Sequence, residues 1–287
     1  MIHIINVLWL ILLIYIPLDS IEDEGVIKLM TYNIRLDHAG DGADNWNFRK
    51  RELVQFLIDE DADFIGIQEG LWHQVQYMDS MMNEYEYIGV GRDDGKEEGE
   101  MMAIFYRYED WTLKNYDTYW LSDQPEIPSR GWDAACNRTL THGVFTNKKS
   151  NKEISITNTH LDHVGKEARK NSITQLGDHL QTIEKNIPTV LMGDFNFTPD
   201  DALYQQTIHF IEDCYSVSDT VFSDHPGTFN GFRVDPPYER RIDYIFADVE
   251  HLTILNHKTM TPMSINGRHL SDHFPVVVEC SIKSLKK

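Results

Sequence analysis

Short apolar runs separated by polar, glycine- and proline-containing segments predict a chain rich in β-strands. Apolar positions at helical spacing predict helices between them, as where Leu71, Val75, Met78 and Met82 step by four, three and four residues. The predicted strands lie at 26–34, 63–69, 86–91, 101–107, 112–121, 140–146, 153–158, 189–192, 240–247, 253–260 and 274–282. The predicted helices begin near 47, 71 and 170, with a short one at 202–209.

The order of these elements indicates an α/β fold. Strands and helices alternate in the first half of the chain, but strand pairs intrude repeatedly, which is not typical of a simple doubly wound sheet. Two stacked mixed sheets with helices outside fit the pattern better. Because no repeat, low-complexity run or linker interrupts the sequence, we predict one domain over 23–287.

The first residues form a separate segment. Apart from Asn6, the chain is apolar from Ile4 to Leu18, a length that suits a signal peptide better than a membrane span. No Lys or Arg precedes the apolar stretch and no clear cleavage site follows it. We therefore expect residues 1–22 to be a signal peptide or an N-terminal anchor. The protein would be secreted or periplasmic, or membrane-anchored if cleavage fails, with no stable membrane span after cleavage.

The net charge bears on which partners the protein can bind, and the cysteine spacing bears on disulfides and zinc. The 287 residues carry a formal net charge of −20, which repels polyanions unless metal ions or a basic patch intervene. Nucleic acid is thus a disfavoured partner, and we expect a monomer. The three cysteines Cys136, Cys214 and Cys280 form no zinc motif; either one disulfide or three packed thiols fit their spacing, and the thiols are favoured.

Polar residues recur where predicted strands begin or end, and this is the strongest chemical signal. The stretch 188–199 shows it best: after its strand, Gly193 permits a tight turn, and Asp194 and Asn196 would share one side of an extended segment. A simple Asx-turn would explain the same two residues. The full set is Asn33, Glu69, His160, Asp194, Asn196, Asp243, Asp272 and His273. Such oxygen donors suit Mg²⁺ or Mn²⁺, and the imidazoles suit acid–base work or phosphate binding.

Six ordered motifs resemble one known group of proteins, the endonuclease/exonuclease/phosphatase superfamily. They are TYNIR (31–35), IQE (67–69), NTHLDH (158–163), GDFN (193–196), RIDYIF (241–246) and SDHFPV (271–276). The segments 87–107 and 128–138 are similar to those of a secreted bacterial branch. The resemblance implies a four-layered α/β/β/α sandwich of two mixed sheets, as in deoxyribonuclease I, with the site at one end of both sheets.

The resemblance also implies roles for the residues at the strand ends. Glu69 would be the principal metal ligand, with Asn33 and Asp272 beside it. Asp194 would orient or deprotonate the attacking water, and Asn196 would donate to phosphoryl oxygens. The remaining positions are the Asp243–His273 pair, His160 at the phosphate or leaving group, and Arg138 at the phosphate, the last match being the weakest.

These features predict a Mg²⁺- or Mn²⁺-dependent hydrolase that cleaves phosphate esters by in-line attack of water. The fold does not select a substrate. The acidic charge favours a small or lipid-linked phosphoester, as a phosphodiesterase or phosphatase. The alternatives are an extracellular endonuclease or exonuclease on DNA or RNA, and a non-catalytic binding module, which the filled site positions disfavour.

Overall fold

The computed structural model describes residues 25 to 283, so the predicted signal segment 1–22 lies outside the described residues. The strands are β1 Ile27–Asn33, β2 Phe64–Gln68, β3 Gly70–Leu71, β4 Tyr85–Ile88, β5 Glu100–Met101, β6 Ile104–Arg107, β7 Trp111–Trp120, β8 Thr139–Asn147, β9 Glu153–His160, β10 Thr189–Asp194, β11 Glu212–Asp213, β12 Thr220–Phe222, β13 Asp243–Ala247, β14 Leu252–Thr259 and β15 Val276–Ile282. The α-helices are α1 Trp46–Glu60, α2 Trp72–Met81, α3 Lys166–Thr182, α4 Ala202–Thr207 and α5 Cys214–Val217, and a 3₁₀ helix covers Ala39–Asp44.

Most strands belong to two large mixed sheets. The seven-stranded sheet has the order β12-β14-β15-β1-β2-β6-β4, and the six-stranded sheet has the order β11-β13-β10-β9-β8-β7. Each sheet contains one central parallel pair, β1 with β2 and β9 with β10, flanked by antiparallel neighbours. The predicted two mixed sheets are therefore confirmed.

Alternation along the strands produces the layers. In β1, Leu29 packs between the sheets while Met30 faces the helices α1 and α2. In β10, Val190 also packs between the sheets, and Leu191 faces α3 and α4. Because successive side chains of a strand point to opposite faces, each sheet buries an apolar surface on both sides. The result is the predicted order of helix, sheet, sheet, helix.

The strand directions bring the predicted site residues to one edge. The parallel pairs end together, because Asn33 lies opposite Gln68 and Asp194 lies opposite His160 in the register. The antiparallel partner β13 begins where β10 ends, so Asp243 lies directly opposite Asp194. Residues that end β1, β2, β9 and β10 therefore meet residues that begin β13 or precede β15.

Several local predictions need correction. Gly193 lies inside β10 rather than in a turn; its φ of +148° and the 2.0 Å from a built Cβ to the Thr159 carbonyl oxygen show that close approach of β9 requires glycine. The segment after it is not extended, since Asn196 has a φ of +52°. The Asp194 carboxylate instead accepts the Asn196 backbone N–H at 3.0 Å, so the Asx-turn forms as well.

The charged run at 93–100 joins two of the predicted strands, and such a run is expected to be a solvated hairpin tip, but this expectation is wrong at its end. Residues 93, 94 and 96–98 are exposed, but Glu100 is buried and belongs to the short strand β5. Its partner β3 follows Glu69 directly, so the end of this run reaches the site edge. Some elements were not predicted because they are too short to show a periodic pattern; these are β3, β5, β11, β12 and α5.

Within residues 25 to 283, no helix is both long enough and apolar enough to cross a membrane. Cys136, Cys214 and Cys280 are all free thiols, as the favoured interpretation of their spacing expected.

A buried histidine, His142, lies away from the strand-end residues and predicts how stability depends on pH. His142 of β8 contacts His179 of α3 with ring centroids 4.7 Å apart. Burial, with repulsion from His179, lowers the pKa of His142 to about 3. Folded His142 therefore stays neutral where the unfolded chain binds a proton, so this residue weakens the fold as pH falls below about 6.5.

We expect His142→Asn to reduce the loss of stability at acidic pH. The free energy of unfolding, measured by urea titration from pH 7 to pH 4, should fall less steeply in the variant by about 1.4 kcal/mol per pH unit. The exposed His209 provides the control, and His209→Asn should follow the wild-type curve. Parallel curves for wild type and His142→Asn would show that His142 is not held neutral.

Candidate active site

Asp194 lies at the centre of the polar residues that the strands bring together. Its Oδ2 atom is 3.1 Å from Asn33 Nδ2, 3.4 Å from His160 Nε2 and 3.7 Å from His273 Nε2. The side chain is almost completely buried. A carboxylate in this position can hold a small polar molecule between two imidazoles and an amide.

Asp194 and Asp243 oppose each other across two neighbouring strands, and His273 compensates their charge. The His273 Nδ1 atom lies 2.9 Å from Asp243 Oδ2. Burial would lower the pKa of His273, but the carboxylates of Asp243 and Asp194 outweigh it and raise the pKa to about 10. Burial and repulsion from Asp243 raise the pKa of Asp194 to about 7. The unit is thus an imidazolium between two carboxylates.

Glu69 follows β2 directly and has a φ of +63°, an uncommon value for a residue other than glycine. Its two oxygens accept hydrogen bonds from Asn33 Nδ2 at 3.0 Å and from the Leu36 backbone N–H at 3.1 Å. Burial opposes ionisation, but the His273 charge and these hydrogen bonds prevail and lower the pKa of Glu69. Asn33 in turn is fixed because its Oδ1 accepts the Arg35 N–H at 3.0 Å.

Asp272 is the second carboxylate beside Glu69. The Arg35 guanidinium lies 3.9 Å from each of these two carboxylates and pairs with Asp41 at 2.9 Å. Burial, together with repulsion from Glu69, raises the pKa of Asp272 although His273 and Arg35 oppose the shift. Two carboxylates are therefore crowded together in a largely buried place, and burial is the main reason for this shift.

This crowding fits a divalent cation. Glu69 and Asp272 offer hard oxygen atoms, and their side chains are 13% and 11% exposed, whereas Asp194 and Asp243 are 2% and 0% exposed. An ion can reach the first pair from solvent. Asp194, Asp243 and His273 also lie close enough together to bind a metal ion, because their possible ligand atoms are within 4.8 Å of one another. The residues present therefore fit Mg²⁺ or Mn²⁺.

The hydrogen bonds of Asn196 determine the tautomer of His160. Asn196 Nδ2 donates to the Leu161 carbonyl at 3.0 Å and lies 3.1 Å from His160 Nε2. Since the carbonyl can only accept, this atom is the amide nitrogen, and its second hydrogen points to Nε2. Neutral His160 then carries its proton on Nδ1. Burial, with the charges of Arg138 and Arg92, lowers the pKa of His160 well below its usual value, in agreement.

Glu100 is a site neighbour that sequence reasoning missed. Its Oε2 lies 3.9 Å from His160 Nδ1 and 2.7 Å from Arg92 Nη1. Among the residues described, His160 Nδ1 is buried without a hydrogen-bond partner. Burial raises the pKa of Glu100, with Arg92 opposing and Glu69 adding to the shift. Glu100 lies in a charge run that suggested only a solvated loop, so no local signal identified it.

Arg138 lies beside the site rather than at its centre. It is buried, its Nε is 3.3 Å from Asp162 Oδ2, and its Nη2 is 3.0 Å from His163 Nδ1. Its Nη1 is buried and, within the described part of the chain, has no hydrogen-bond partner. Asp162, which the NTHLDH motif contains, also accepts the backbone N–H of Ala135 at 3.0 Å, which ties the loop between β7 and β8 to the segment after β9.

The structure therefore brings all eight predicted strand-end residues to one place, with Arg138 at its side. Their catalytic and ligand roles stay predictions. Asn196 currently directs both amide hydrogens to protein atoms, so donation to a phosphoryl oxygen requires release of one of them. Arg241, the first residue of the RIDYIF motif, pairs with buried Asp213 at 2.7 Å and lies against three tyrosine rings.

Comparison with known proteins agrees with this geometry. Residues 30–273 match the model of the Endonuclease/Exonuclease/phosphatase family. A solved structure of a family protein from Bacteroides thetaiotaomicron is 34% identical, with a TM-score of 0.86 over 91% of this chain and 99% of that one. A mannosyl-6-phosphatase from the same organism is 35% identical, with a TM-score of 0.85 over 89% of this chain and 100% of that one.

A more distant relative is an uncharacterised protein of Acanthamoeba polyphaga mimivirus, 24% identical over 81% of this chain and 91% of its own length. The family model covers well over half of the chain, and it spans the strand-end residues from Asn33 to His273. The site geometry, the sheet order and these matches lead to one conclusion: the chain belongs to the endonuclease/exonuclease/phosphatase family.

Proposed function

We propose that this protein is a phosphatase that depends on a divalent cation, Mg²⁺ or Mn²⁺, and acts on a small phosphorylated sugar or similar phosphoester. The observation that carries the proposal is the set of contacts around Asp194. Its Oδ2 faces Asn33, His160 and His273 within 3.7 Å, next to the crowded carboxylates of Glu69 and Asp272. Phosphate-ester hydrolysis needs a positioned water and compensation of negative charge in one place.

The substrate class rests on similarity. The mannosyl-6-phosphatase is 35% identical to this chain and has the same fold along its entire length. A net charge of −20 also favours a compact substrate over a polyanion. A nuclease role has weaker support, because an exoribonuclease subunit from Mycosarcoma maydis is 20% identical and this chain spans 50% of its length.

In the proposed reaction, Asp194 orients the attacking water and accepts its proton as the new P–O bond forms and the ester P–O bond breaks. A carboxylate with a pKa near neutrality suits this role, and that of Asp194 is raised to about 7. His273, kept cationic by Asp243, faces the developing charge on the phosphoryl oxygens. His160 is neutral, and its Nε2 atom lies 3.4 Å from Asp194 Oδ2, on the side of the ring that faces the water.

The cation would be held by Glu69 and Asp272, with Asn33 Oδ1 retaining one free lone pair. A bound Mg²⁺ or Mn²⁺ supplies charge that stabilises the phosphoryl oxygens and the leaving oxygen. Leu36 and Asn33 fix the Glu69 carboxylate, so the ligand geometry is set before the ion binds. A non-catalytic module would have no need of this arrangement.

The proposal that the protein is exported through residues 1–22 rests on the sequence alone.

The metal proposal predicts that Glu69→Gln loses Mg²⁺ affinity and activity together. Removing one ligand charge should reduce hydrolysis of p-nitrophenyl phosphate by at least about a hundredfold. Calorimetric Mg²⁺ titration measures the affinity, and circular dichroism checks the fold. Glu184→Gln, at an exposed site after α3, is the matched control and should behave as wild type. Full activity in EDTA would refute the metal requirement.

The proton and charge roles predict a selective loss of kcat. Asp194→Asn and His273→Ala should each reduce kcat by about two to four orders of magnitude and change KM much less, because their contacts strengthen at the transition state. Steady-state kinetics on glucose 6-phosphate separates the two constants. His209→Ala, an exposed histidine, is the control. A rise in KM with kcat unchanged would mean that these residues only bind substrate.

The substrate proposal predicts weak dependence on salt. Between about 50 and 200 mM NaCl, kcat/KM for glucose 6-phosphate should change by no more than a few-fold, whereas an enzyme that grips six or more phosphates would lose about a thousandfold in affinity. Plasmid DNA and RNA should be poor substrates in the same series. Faster cleavage of DNA or RNA than of every sugar phosphate at about 150 mM salt would favour the nuclease alternative.

A further inference from the structure

Arg240 is an exposed arginine three residues before Asp243. Its guanidinium carbon lies 5.0 Å from the centroid of the Phe229 ring, a distance typical of cation–π stacking. The backbone holds the two residues together, because the Phe229 N–H donates to the Arg240 carbonyl at 3.1 Å. Arg240 is therefore positioned by an aromatic face and by its own backbone.

The same ring contacts the predicted catalytic histidine. The centroids of Phe229 and His273 are 5.0 Å apart in an edge-to-face arrangement, and the two residues also form an isolated β-bridge. Phe229 is thus placed between the imidazolium of His273 and the guanidinium of Arg240. Because Phe229 contacts both groups, the distance between the Arg240 guanidinium and the His273 ring cannot exceed the sum of these two contact distances.

Arg240 differs from four other arginines around the site, each of which has a carboxylate partner. Arg35 pairs with Asp41, Arg92 with Glu100, Arg138 with Asp162 and Arg241 with Asp213. Within residues 25 to 283, neither an ion pair nor a hydrogen bond engages the Arg240 guanidinium. In a chain with a net charge of −20, an oriented arginine without a counter-ion is an unused anion-binding group.

Stacking orients the guanidinium without consuming its hydrogen-bond donors. All five N–H groups lie in the plane of the guanidinium, so contact through its face leaves the edge free. That edge matches two oxygens of a phosphate group. The half-buried Phe229 ring between the two cations provides an apolar surface for the organic part of a substrate.

We propose that Arg240 binds a second phosphate group, carried by the same small substrate whose first phosphate is hydrolysed beside Asp194 and His273. The preferred substrates are then compact organic bisphosphates, with the carbon skeleton lying along Phe229. This inference rests on the proposed phosphatase function. It adds a specificity-determining residue outside the strand-end set and makes no claim about the chemical step.

The first test compares substrates that bear one or two phosphates. For wild type, Arg240→Ala and Arg240→Lys, kcat/KM is measured on glucose 6-phosphate and on glucose 1,6-bisphosphate with Mg²⁺. Arg240→Ala should lower kcat/KM for the bisphosphate about tenfold more than for the monophosphate, mainly through KM. Arg240→Lys should recover part of this selectivity, because it keeps the charge and loses the fork geometry. Arg51→Ala, an exposed arginine on α1, should keep the wild-type ratio.

An equal loss on both substrates would overturn the inference, since Arg240 would then act on the reacting phosphate. No loss on the bisphosphate would overturn it as well. A selective loss that appears only with a 5′-phosphorylated oligonucleotide, and not with the bisphosphate, would assign Arg240 to nucleic acid instead.

A binding measurement separates this inference from the proposed function. In the Asp194→Asn background, calorimetry gives the affinity for glucose 1,6-bisphosphate with and without Arg240→Ala. A fall of about tenfold in affinity would support the second phosphate site even if wild type hydrolysed neither substrate, in which case only the phosphatase proposal fails. Equal affinities would refute the second phosphate site even if wild type proved to be an active phosphatase.

Discussion

Two buried carboxylates, Asp194 and Asp243, face each other across the ends of β10 and β13. Like charges directly opposite each other destabilise a sheet, and burial increases the cost because water cannot screen them. His273 reduces this repulsion by contributing an imidazolium that contacts both carboxylates. The position of His273 therefore depends on the segment that leads into β15, and through it on the packing of one sheet against the other.

The need to hold His273 beside Asp194 and Asp243 also links the site to the surrounding loops. The segment that carries Asp272 and His273 is held because the Ser271 hydroxyl donates to the Asn33 carbonyl and the Asn230 N–H donates to the Asp272 carbonyl. From the helix layer, Arg49 donates to the carbonyls of Leu270 and Arg35, on either side of the site. Charged groups that repel one another are thus kept together by neutral hydrogen bonds to rigid elements.

The sequence predicts the two sheets and the strand-end set because both follow from local pattern. Apolar runs identify strands such as β1, β2 and β10, and parallel and antiparallel connections bring their ends to one edge. What it does not predict depends on tertiary contact. Glu100 occurs in an exposed charge run, yet β5 pairs with β3 and places it near His160. The left-handed conformation of Asn196 and the close approach that Gly193 permits depend in the same way on β9.

The family shares this scaffold among several chemistries, so substrate choice depends on loops rather than on the strand-end residues. Here the loops contribute Arg138, which is tied to Asp162, and Phe229, with Arg240 stacked on its ring. Among the residues that the structure describes, Arg138 has a carboxylate partner and the Arg240 guanidinium has none. This difference supports our proposal that the carbon skeleton of the substrate lies along Phe229.

Our central proposal is that the crowded carboxylates of Glu69 and Asp272 form a site for a divalent cation next to Asp194. Anomalous diffraction from crystals soaked in Mn²⁺ tests this most directly, because it locates the ion independently of activity. We expect a strong peak within bonding distance of Glu69 and adjacent to Asp272. A peak elsewhere, for example at the surface group Asp248, Glu250 and His251, with none beside Glu69, would contradict the account.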